Sequence, residues 1–397
     1  MKPTHLTRSN LTPLLLCFAA WSTAACVPSG SDATPTGDIQ AGALPDGATS
    51  SYGGRTLPTA EDKRLLSHMS IVEVPDGAGG TRTTLRISGI NVQVVNGLDA
   101  TNGYPTDPDD LVTGRVQVNG AGNVIVGYGE LTGTSPQMTR LGSHTISFGQ
   151  GNGFAKFGNL IGSKGNEILG AFGSISGGRG HSIGDPYPYY NNENFTRGNS
   201  IRGGEGNSAR GFFGSVQGGK SNSGSAQVYL GSASHSAIIG GANNSANGLM
   251  DSIGGGSRNR ANVSEHGSIG GGYRNTLFLV QSASISGGRQ NMASDTLAAN
   301  IRGDSISGGL ANTIYGYGAD YRTISGGQLG KVIYSSFGSL AGGYGGKVGT
   351  SGSGSNASIA GGNLNESAGS ASSVSGGSLR SAVSSDDWAA GALFEDD

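Results

Sequence analysis

Residues 252–261 read SIGGGSRNRA and residues 268–277 read SIGGGYRNTL. The shared phrase is a serine, an aliphatic residue, one variable residue, two glycines and, three residues after the second glycine, usually an asparagine. It returns twelve times between Ser174 and Ala382, and the second glycines of successive copies lie 15 to 26 residues apart. A unit of constant minimum length with insertions of variable length is the sequence signature of a solenoid. The repeat therefore predicts coils of about 15 residues.

Two positions of the repeat are expected to point into the core. The position three residues before each second glycine is always aliphatic: Ile175, Ile201, Val216, Ile238, Ile253, Ile269, Ile285, Ile306, Ile324, Leu340, Ile359 and Val374. Five residues after the second glycine the residue is usually small or apolar, with Gly224 and Ser367 as exceptions. Two inward positions per coil predict two short strands per coil. The glycine pair is expected to supply a turn with positive φ.

The asparagine row predicts a structural turn. It comprises Asn152, Asn166, Asn207, Asn222, Asn244, Asn259, Asn275, Asn291, Asn312 and Asn365, whereas Gly330 and Gly346 replace it in two copies. Exchange of Asn with Gly is typical of a position that tolerates left-handed geometry, and we expect the side-chain amides to bond in a ladder. The serine row that opens each phrase predicts a hydroxyl ladder, because the regular Thr row of ice-binding solenoids is absent from it.

Degenerate copies of the phrase occur upstream, around residues 123–127, 145–152 and 160–166. They extend the predicted solenoid to residues 121–384. The sequence thus predicts an all-β fold, a parallel β-roll of about fifteen coils.

The segments flanking the solenoid have different patterns. Residues 61–120 predict a short helix over Glu61–Met69, a β-meander and a loop. The three strands of the meander are expected at Ser70–Val74, Thr84–Ile87 and Asn91–Val95. Residues 385–397 are predicted to form an acidic C-terminal tail.

Residues 1–25 predict a signal peptide, with Lys2 and Arg8 ahead of an apolar stretch over Leu11–Trp21. The following Ser-Thr-Ala-Ala-Cys resembles the end of a bacterial lipoprotein signal, which implies lipidation of Cys26 and membrane attachment through that lipid. Thr23 stands where that family most often has leucine, so cleavage after Ala25 by ordinary signal peptidase is the alternative. Either route implies a protein of the cell envelope, as an outer-membrane lipoprotein or at the cell surface, or a secreted protein. Residues 26–60 predict a flexible tether.

Composition separates the chain from most enzymes and nucleic-acid-binding proteins. Glycine contributes 75 of 397 residues, only 13% of residues are charged, and the net charge is −2. No long basic run is present, so a nucleic-acid partner is not expected. The six histidines lack metal-ligand spacing, and neither a metal nor another cofactor is expected.

The carboxylates of the repeat region do not predict a catalytic site. They do not recur at one coil position in neighbouring coils, as the acidic residues of a polysaccharide-cleaving solenoid would. These residues are Glu167, Asp185, Glu193, Glu205, Asp251, Glu265, Asp295, Asp304, Asp320 and Glu366. We therefore expect no enzymatic activity, with a polysaccharide-active solenoid enzyme or a passive envelope component as the alternative.

Insertions between coils are expected to determine what the protein binds. The largest, His181–Asn199, contains four aromatic residues among Asp, Asn and Glu: Tyr187, Tyr189, Tyr190 and Phe195. Aromatic faces stack on sugars and polar groups orient them, so these four are the candidate ligand contacts. Two further aromatic insertions lie at Gln227–Leu230 and Tyr315–Tyr321. The alternative is that these loops pack inertly on the solenoid.

The phrase Ser-Ile-Ser-Gly-Gly-x-x-Asn-x-Ala, as in residues 284–293, resembles the YadA-like head repeats of trimeric autotransporter adhesins. The resemblance covers residues 121–384 and implies a left-handed β-roll. It also implies a homotrimer that binds extracellular glycan or matrix protein. The membrane barrel and long coiled-coil stalk of that family have no counterpart in this sequence, so attachment is expected through the N-terminal lipid. The expected function is that of a non-enzymatic, adhesin-like surface protein; a monomeric roll is the alternative to the trimer.

Overall fold

The computed structural model describes residues 59–110, 115–130, 139–184, 197–225, 235–262, 264–295, 303–316, 321–350 and 355–391. The predicted signal peptide, Cys26 and all but the last two residues of the predicted tether lie outside these ranges. The chain divides into two units, the first ending at Val92 and the second beginning at Gln93.

The first unit contains one short helix and a β-hairpin. Helix α1 (Ala60–Leu66) begins with a capping box, in which the Thr59 hydroxyl accepts from the Asp62 N–H and the Asp62 carboxylate accepts from the Thr59 N–H. Strands β1 (Met69–Pro75) and β2 (Thr81–Ile87) pair antiparallel, with Met69 opposite Ile87. The Asp76 carboxylate closes the connecting turn by accepting from the N–H groups of Ala78 and Gly80.

The predicted third strand of the meander, Asn91–Val95, is wrong. These residues pair with neither β1 nor β2, and all five are exposed. The boundary between the two units falls inside the segment. Alternating valines indicated a strand, but a strand requires a hydrogen-bonded neighbour, which this segment lacks among the described residues.

The second unit is a β-solenoid built from two parallel sheets. Within the described residues, sheet 1 contains β3 (Val124–Val126), β4 (Ile146–Phe148), β6 (Leu160–Ile161), β8 (Ser174–Ile175), β10 (Ser200–Ile201), β12 (Ser215–Val216), β14 (Ala237–Ile238), β16 (Ser252–Ile253), β18 (Ser268–Ile269), β20 (Ser284–Ile285), β22 (Ser305–Ile306), β24 (Thr323–Ile324), β26 (Ser339–Leu340), β28 (Ser358–Ile359), β30 (Ser373–Val374) and β32 (Trp388–Ala389). Sheet 2 contains β5 (Gly153–Phe154), β7 (Glu167–Ile168), β9 (Ser182–Ile183), β11 (Ser208–Arg210), β13 (Ser223–Ser225), β15 (Ser245–Ala246), β17 (Arg260–Asn262), β19 (Thr276–Phe278), β21 (Met292–Ser294), β23 (Thr313–Tyr315), β25 (Lys331–Ile333), β27 (Lys347–Val348), β29 (Glu366–Ser367) and β31 (Ser381–Ala382). Each repeat adds one strand to each sheet, which confirms the predicted two-strand coil.

The core is the narrow space between the two sheets. Every member of the aliphatic row is buried, and each lies beside the equivalent residue of the next coil, as Ile253 does beside Ile269. The second inward position, such as Ala261 or Leu277, is also fully buried. The exceptional Ser367 is buried as well, and its hydroxyl donates to the Ser372 carbonyl over 3.0 Å. Both predicted inward positions are confirmed.

In eight of the twelve copies, the turn from sheet 1 to sheet 2 requires positive φ of the second glycine only, whereas the first glycines Gly308, Gly326, Gly361 and Gly376 also have positive φ. The second glycines of the twelve copies have φ between +79° and +95°. A Cβ atom on Gly272 would also overlap the carbonyl oxygen of Gly288 in the next coil, whereas one on Gly271 would meet nothing within 4 Å. The second glycine therefore provides both the positive φ and the close approach of successive coils.

The asparagines form the predicted ladder, but their amides bond to backbone atoms. The Asn275 Nδ2 donates to the carbonyls of Gly271 and Gly288 over 2.7 and 3.0 Å, and its Oδ1 accepts from the N–H of Asn291 over 3.0 Å. The predicted left-handed geometry lies one residue earlier, at Arg274, where φ is +56°. The asparagine itself does not have positive φ, because its side chain must point into the coil to reach these partners.

His181 and Arg380 also occupy the asparagine position, three residues after Gly178 and Gly377. The His181 Nδ1 accepts from the Asn207 N–H over 3.0 Å and thus replaces an asparagine oxygen. Burial lowers the pKa of His181. This favours the neutral ring that can accept at Nδ1.

The two glycines in the asparagine row coincide with the one leucine in the aliphatic row. A Cβ atom on Gly330 would overlap Cδ2 of Leu340, and one on Gly346 would lie 2.8 Å from its Cδ1. The two branches of Leu340 thus fill the space of both missing amides. The Gly330 N–H still donates to Asn312 Oδ1 over 2.9 Å, so the ladder reaches this coil.

The solenoid also continues past its predicted end at residue 384. The first residues of the predicted tail form another turn, with Asp386 at φ +60°, and β32 pairs with β30. The Trp388 Nε1 donates to the Ser375 hydroxyl over 2.8 Å. Charge at Asp386 and Asp387 indicated a tail, but both aspartates lie in the turn, where acidic residues are tolerated. Residues 392–397 lie outside the described part.

We predict that Gly330→Asn alone lowers stability by about 1 to 3 kcal/mol, because the new amide collides with Leu340. The double variant Gly330→Asn/Leu340→Ile restores the pair found in the other coils and should recover at least about 1 kcal/mol of that loss. Melting temperatures followed by circular dichroism measure both effects. Gly271→Ala, next to open space, is the matched control. Strict additivity of the two single substitutions would show that Leu340 does not fill the missing amide space.

Candidate functional surface

The two edges of the solenoid differ in how freely their length varies. The tight edge is the Gly-Gly-x-x-Asn turn from sheet 1 to sheet 2, and it has constant length in all twelve copies. The variable edge is the return from sheet 2 to sheet 1. It is short between Ala246 and Ser252 but long between Ile183 and Ser200. Insertions within the twelve copies therefore enter the fold at one edge, as the sequence predicted.

The four candidate contacts Tyr187, Tyr189, Tyr190 and Phe195 lie outside the described residues, as does the insertion Gln227–Leu230. Within the predicted insertion His181–Asn199, the described Gly184 and Arg197 lie on the variable edge, whereas His181 belongs to the tight edge and Ser182–Ile183 form β9. In the third insertion, the described Tyr315 packs edge-on against Tyr334, with ring centroids 5.7 Å apart. Tyr321, the last residue of this insertion, is exposed on the variable edge.

A row of exposed side chains along the variable edge was not recognised in the sequence. We call it the edge row. Its large members are Phe172, Phe213, His235, Met250, His266, Tyr321 and Phe337. Each stands two residues before the first position of a sheet 1 strand, and this constant offset is the signal that could have revealed the row. Of its members only Tyr321 was identified from the sequence, because aromatic residues were sought inside the insertions.

Rings of the edge row stack from coil to coil. Phe213 and His235 lie with centroids 5.2 Å apart and planes 12° apart, and Tyr321 and Phe337 lie 5.9 Å and 17° apart. A Cβ atom on Gly198 would lie 2.6 Å from the Phe213 ring, so this ring occupies the space beside the glycine of the preceding coil. Stacked pairs of this kind contribute about 0.5 to 1.5 kcal/mol each.

These rings are held in unfavourable backbone geometry. Phe172, Phe213, Tyr321 and Phe337 have φ between +53° and +56°. Left-handed geometry costs a residue with a Cβ roughly 1 to 2 kcal/mol, and it recurs at the turns of both edges, as at Arg274. Stacking compensates for part of this cost. Tyr321 and Phe337 nevertheless remain 55% and 53% exposed, so the pair stays available to a ligand.

Arg197 adds a polar group beside Phe213 of the edge row. Its guanidinium carbon lies 5.6 Å from the Phe212 ring centroid and 5.9 Å from that of Phe213. A cation over aromatic rings, next to exposed ring faces, combines hydrogen-bond donors with stacking surfaces. This chemistry suits sugars, whose faces are apolar and whose edges carry hydroxyl groups.

Charged residues buried beneath the variable edge bind each other or nearby backbone N–H groups. Asp304 and Arg322 form an ion pair over 2.7 Å with both side chains fully buried. Asp251 is equally inaccessible, and it accepts from the Ser264 hydroxyl and the N–H groups of Gly267 and Gly248. Among the described residues, no cluster of three His, Cys, Asp or Glu side chains could hold a metal ion.

Asp251 is the charged counterpart of an asparagine. In an equivalent position, Asn199 Oδ1 accepts from the N–H of Gly214, just as Asp251 Oδ1 accepts from that of Gly267 over 2.9 Å. Burial raises the pKa of Asp251 to about 6, although three hydrogen bonds oppose the shift. The folded chain therefore retains a proton on Asp251 at a pH where the unfolded chain has released it.

We predict that Asp251 makes the protein less stable as pH rises. A raised folded-state pKa stabilises the fold below the unfolded value near 4, and this contribution is lost as pH rises through about 6. The full loss is on the order of 3 kcal/mol. Asp251→Asn should remove this dependence. The melting temperature of the variant relative to that of the wild type should therefore rise between about pH 4.5 and 7.5, roughly the range set by the two pKa values.

Asn199→Asp is the reciprocal control for Asp251→Asn. It places a carboxylate in the equivalent buried position and should create a new loss of stability with rising pH. Parallel pH profiles for the wild type and both variants would contradict the assignment.

The structure contains no helix, within its described residues, of sufficient length and apolar character to cross a membrane. No protein-family model matches the chain, and no curated protein is significantly similar to it. The geometry of the chain identifies it as a repetitive β-solenoid. One of its edges has constant length, and the other has variable length and carries the edge row.

Proposed function

We propose that this protein is a non-enzymatic, adhesin-like surface protein that binds extracellular glycan or matrix protein through its variable edge. The edge row carries the proposal, because exposed aromatic rings stack there from coil to coil. The candidate contacts Tyr187, Tyr189, Tyr190 and Phe195 belong in sequence to an insertion on the same edge.

A repetitive edge suits multivalent binding. Strands of neighbouring coils lie about 4.8 Å apart, so rings in successive coils offer a ligand closely spaced contacts. Each contact needs little affinity of its own, because linked contacts raise the overall affinity by effective concentration. A polymeric glycan or a fibrous matrix protein presents the repeated groups that such an edge would engage.

The resemblance to YadA-like heads supports a location at the cell surface. In this proposal Cys26 carries the lipid, residues 26–60 tether the folded part, and the solenoid extends outward from the envelope. The protein would act without a cofactor. Nucleic acid is not among the proposed partners, since the net charge is −2 and no long basic run occurs.

We predict that Tyr321→Ala/Phe337→Ala weakens binding to any glycan or matrix protein identified on an array by about tenfold or more, because two stacking faces are lost. Tyr344→Ala is the matched control: Tyr344 is a 45% exposed aromatic residue on the tight edge. Equal effects of both variants would reject the variable edge as the binding surface. Release of new reducing ends from a bound polysaccharide would instead favour the enzyme alternative.

We further propose that the protein is a homotrimer, as the resemblance implies. The hairpin of the first unit supports self-association, since Ile71 and Leu85 pair across its strands on one face and are 68% and 53% exposed. A two-stranded hairpin is marginal alone and gains stability when an apolar face is covered. Cyclic association of identical chains would cover the same face in each copy.

We predict a mass of three chains for the purified protein by light scattering on a size-exclusion column. Ile71→Asn/Leu85→Asn should shift the protein toward a single chain, because the two most exposed large apolar side chains of that face become polar. Val72→Asn, on the opposite face of the hairpin, should leave the mass unchanged. A wild-type mass of one chain would overturn the trimer and support the monomeric roll.

A further inference from the structure

Three arginines converge on one ring at the tight edge. The guanidinium carbons of Arg258, Arg274 and Arg289 lie 5.9, 5.1 and 5.6 Å from the ring centroid of Tyr273. Arg258 Nη1 also donates to the Tyr273 hydroxyl over 3.1 Å. All three arginines are exposed. We call these four residues the arginine cluster.

Coil geometry arranges the cluster as a row. Ser257, Tyr273 and Arg289 are neighbours in one backbone ladder that crosses three successive coils. Arg258 and Arg274 follow Ser257 and Tyr273 directly and therefore lie one coil apart, about 4.8 Å along the solenoid axis. Arg260, exposed on β17 two residues beyond Arg258, adds a fourth cation beside the row.

Two cations elsewhere on the same edge, Arg179 and Lys220, are compensated by a carboxylate. In coils nearer the N-terminus, Glu205 lies between Arg179 and Lys220, at 2.7 and 3.4 Å. Positive residues one coil above and one below thus share one carboxylate. The pKa of Glu205 is lowered by these partners, first by its hydrogen bond from Arg179.

The arginine cluster has no such carboxylate. Among the described residues of the tight-edge turns, Glu205 is the only acidic one, and it lies three coils before Ser257. No described acidic side chain forms an ion pair with Arg258, Arg274 or Arg289. Like charges held around one ring repel each other, and the ring's negative face offsets only part of that repulsion. An anion would supply the remaining compensation.

We propose that the arginine cluster binds an acidic polysaccharide through its sulfate or carboxylate groups. Guanidinium forks pair with both groups in bidentate geometry. Because the cations form a row across three coils, they match a chain with repeated anionic groups better than a single small anion. Exposure of all three guanidiniums leaves them accessible to such a chain.

The limits of the row favour a narrow polymer over duplex nucleic acid. Uncharged Ala242 precedes the cluster in its ladder, and uncharged Leu310 follows it. A duplex presents phosphates on two strands and is bound by broader basic surfaces. This site lies on the other edge from the edge row, so it does not rest on the proposed function.

Binding of immobilised protein to heparin, polygalacturonate and neutral dextran tests the proposal by biolayer interferometry. We expect the wild type to bind a sulfated or carboxylated probe, with affinity that falls as salt rises, and not to bind dextran. Arg258→Gln/Arg274→Gln/Arg289→Gln should lose about tenfold or more in affinity. The triple Lys variant at these positions should retain part of the binding, because it keeps the charge but not the fork.

Lys164→Gln/Arg179→Gln/Lys220→Gln is the matched control. It removes the same number of charges from the same edge and should change affinity by no more than about twofold if net charge is not the cause. Equal losses in both triple variants, or failure of the wild type to bind either acidic probe, would overturn the proposal. Equal or tighter binding of a short DNA duplex would also overturn it.

Tyr321→Ala/Phe337→Ala should bind the acidic probes like the wild type. Retained binding in that variant would show that the arginine cluster is a separate site from the variable edge. Either proposal can then fail without affecting the test of the other. If the Gln variant does not reach the wild-type melting temperature, the Lys variant and the matched control decide the outcome.

Discussion

The structure depends on how closely two successive coils approach at the tight edge. There the second glycine of one coil faces the carbonyl of the next, and no Cβ atom fits between them. The asparagine then satisfies the carbonyls and N–H groups that the turn leaves unpaired, which would otherwise be costly to bury. The glycine permits the close approach of successive coils, and the hydrogen bonds of the asparagine maintain it. The second glycine recurs in all twelve copies, whereas the asparagine is replaced in four of them, by His181, Gly330, Gly346 and Arg380.

This constraint directs variation to the opposite edge. At the tight edge, the Gly-Gly-x-x-Asn turn must keep its length, since each amide must meet the same atoms of the next coil. The return from sheet 2 has no such ladder of constant spacing and accepts insertions of different lengths. Side chains at both edges can still differ where they point outward. Phe337 at one edge and Arg274 at the other both occupy left-handed positions without entering the core.

Much of the solenoid could be predicted because its determinants recur. Ile253 and Ala261 reveal inward positions by repetition alone, and the glycine pair reveals the turn. The register of the left-handed residue could not be deduced from Asn and Gly exchange. At Gly330 that exchange reflects the volume of Leu340 and not backbone geometry. A compensating contact between coils is invisible when each copy is read separately.

The flanking regions and the candidate surface were harder to predict for other reasons. The segment Asn91–Val95 has a strand-like pattern, but local pattern does not provide a pairing partner. Trp388 extends the solenoid through a hydrogen bond to Ser375 that no repeat signature marks. The edge row was missed because its members share a position and not a residue type. The arginine cluster could not be predicted, because it forms only when three successive coils stack and bring their arginines around Tyr273.

The uniform register between coils has a consequence for how such a gene can change length. Asn259, Asn275 and Asn291 make the same bonds to their neighbours, so deletion or duplication of one whole coil would rejoin equivalent atoms. Most coils are therefore interchangeable modules for recombination. Exceptions among the described coils include those that Leu340 links, at Gly330 and Gly346, and those that the Asp304–Arg322 pair links. Recombination within either block of coils would leave a glycine space unfilled or a buried charge unpaired, so changes in coil number should preserve these blocks intact.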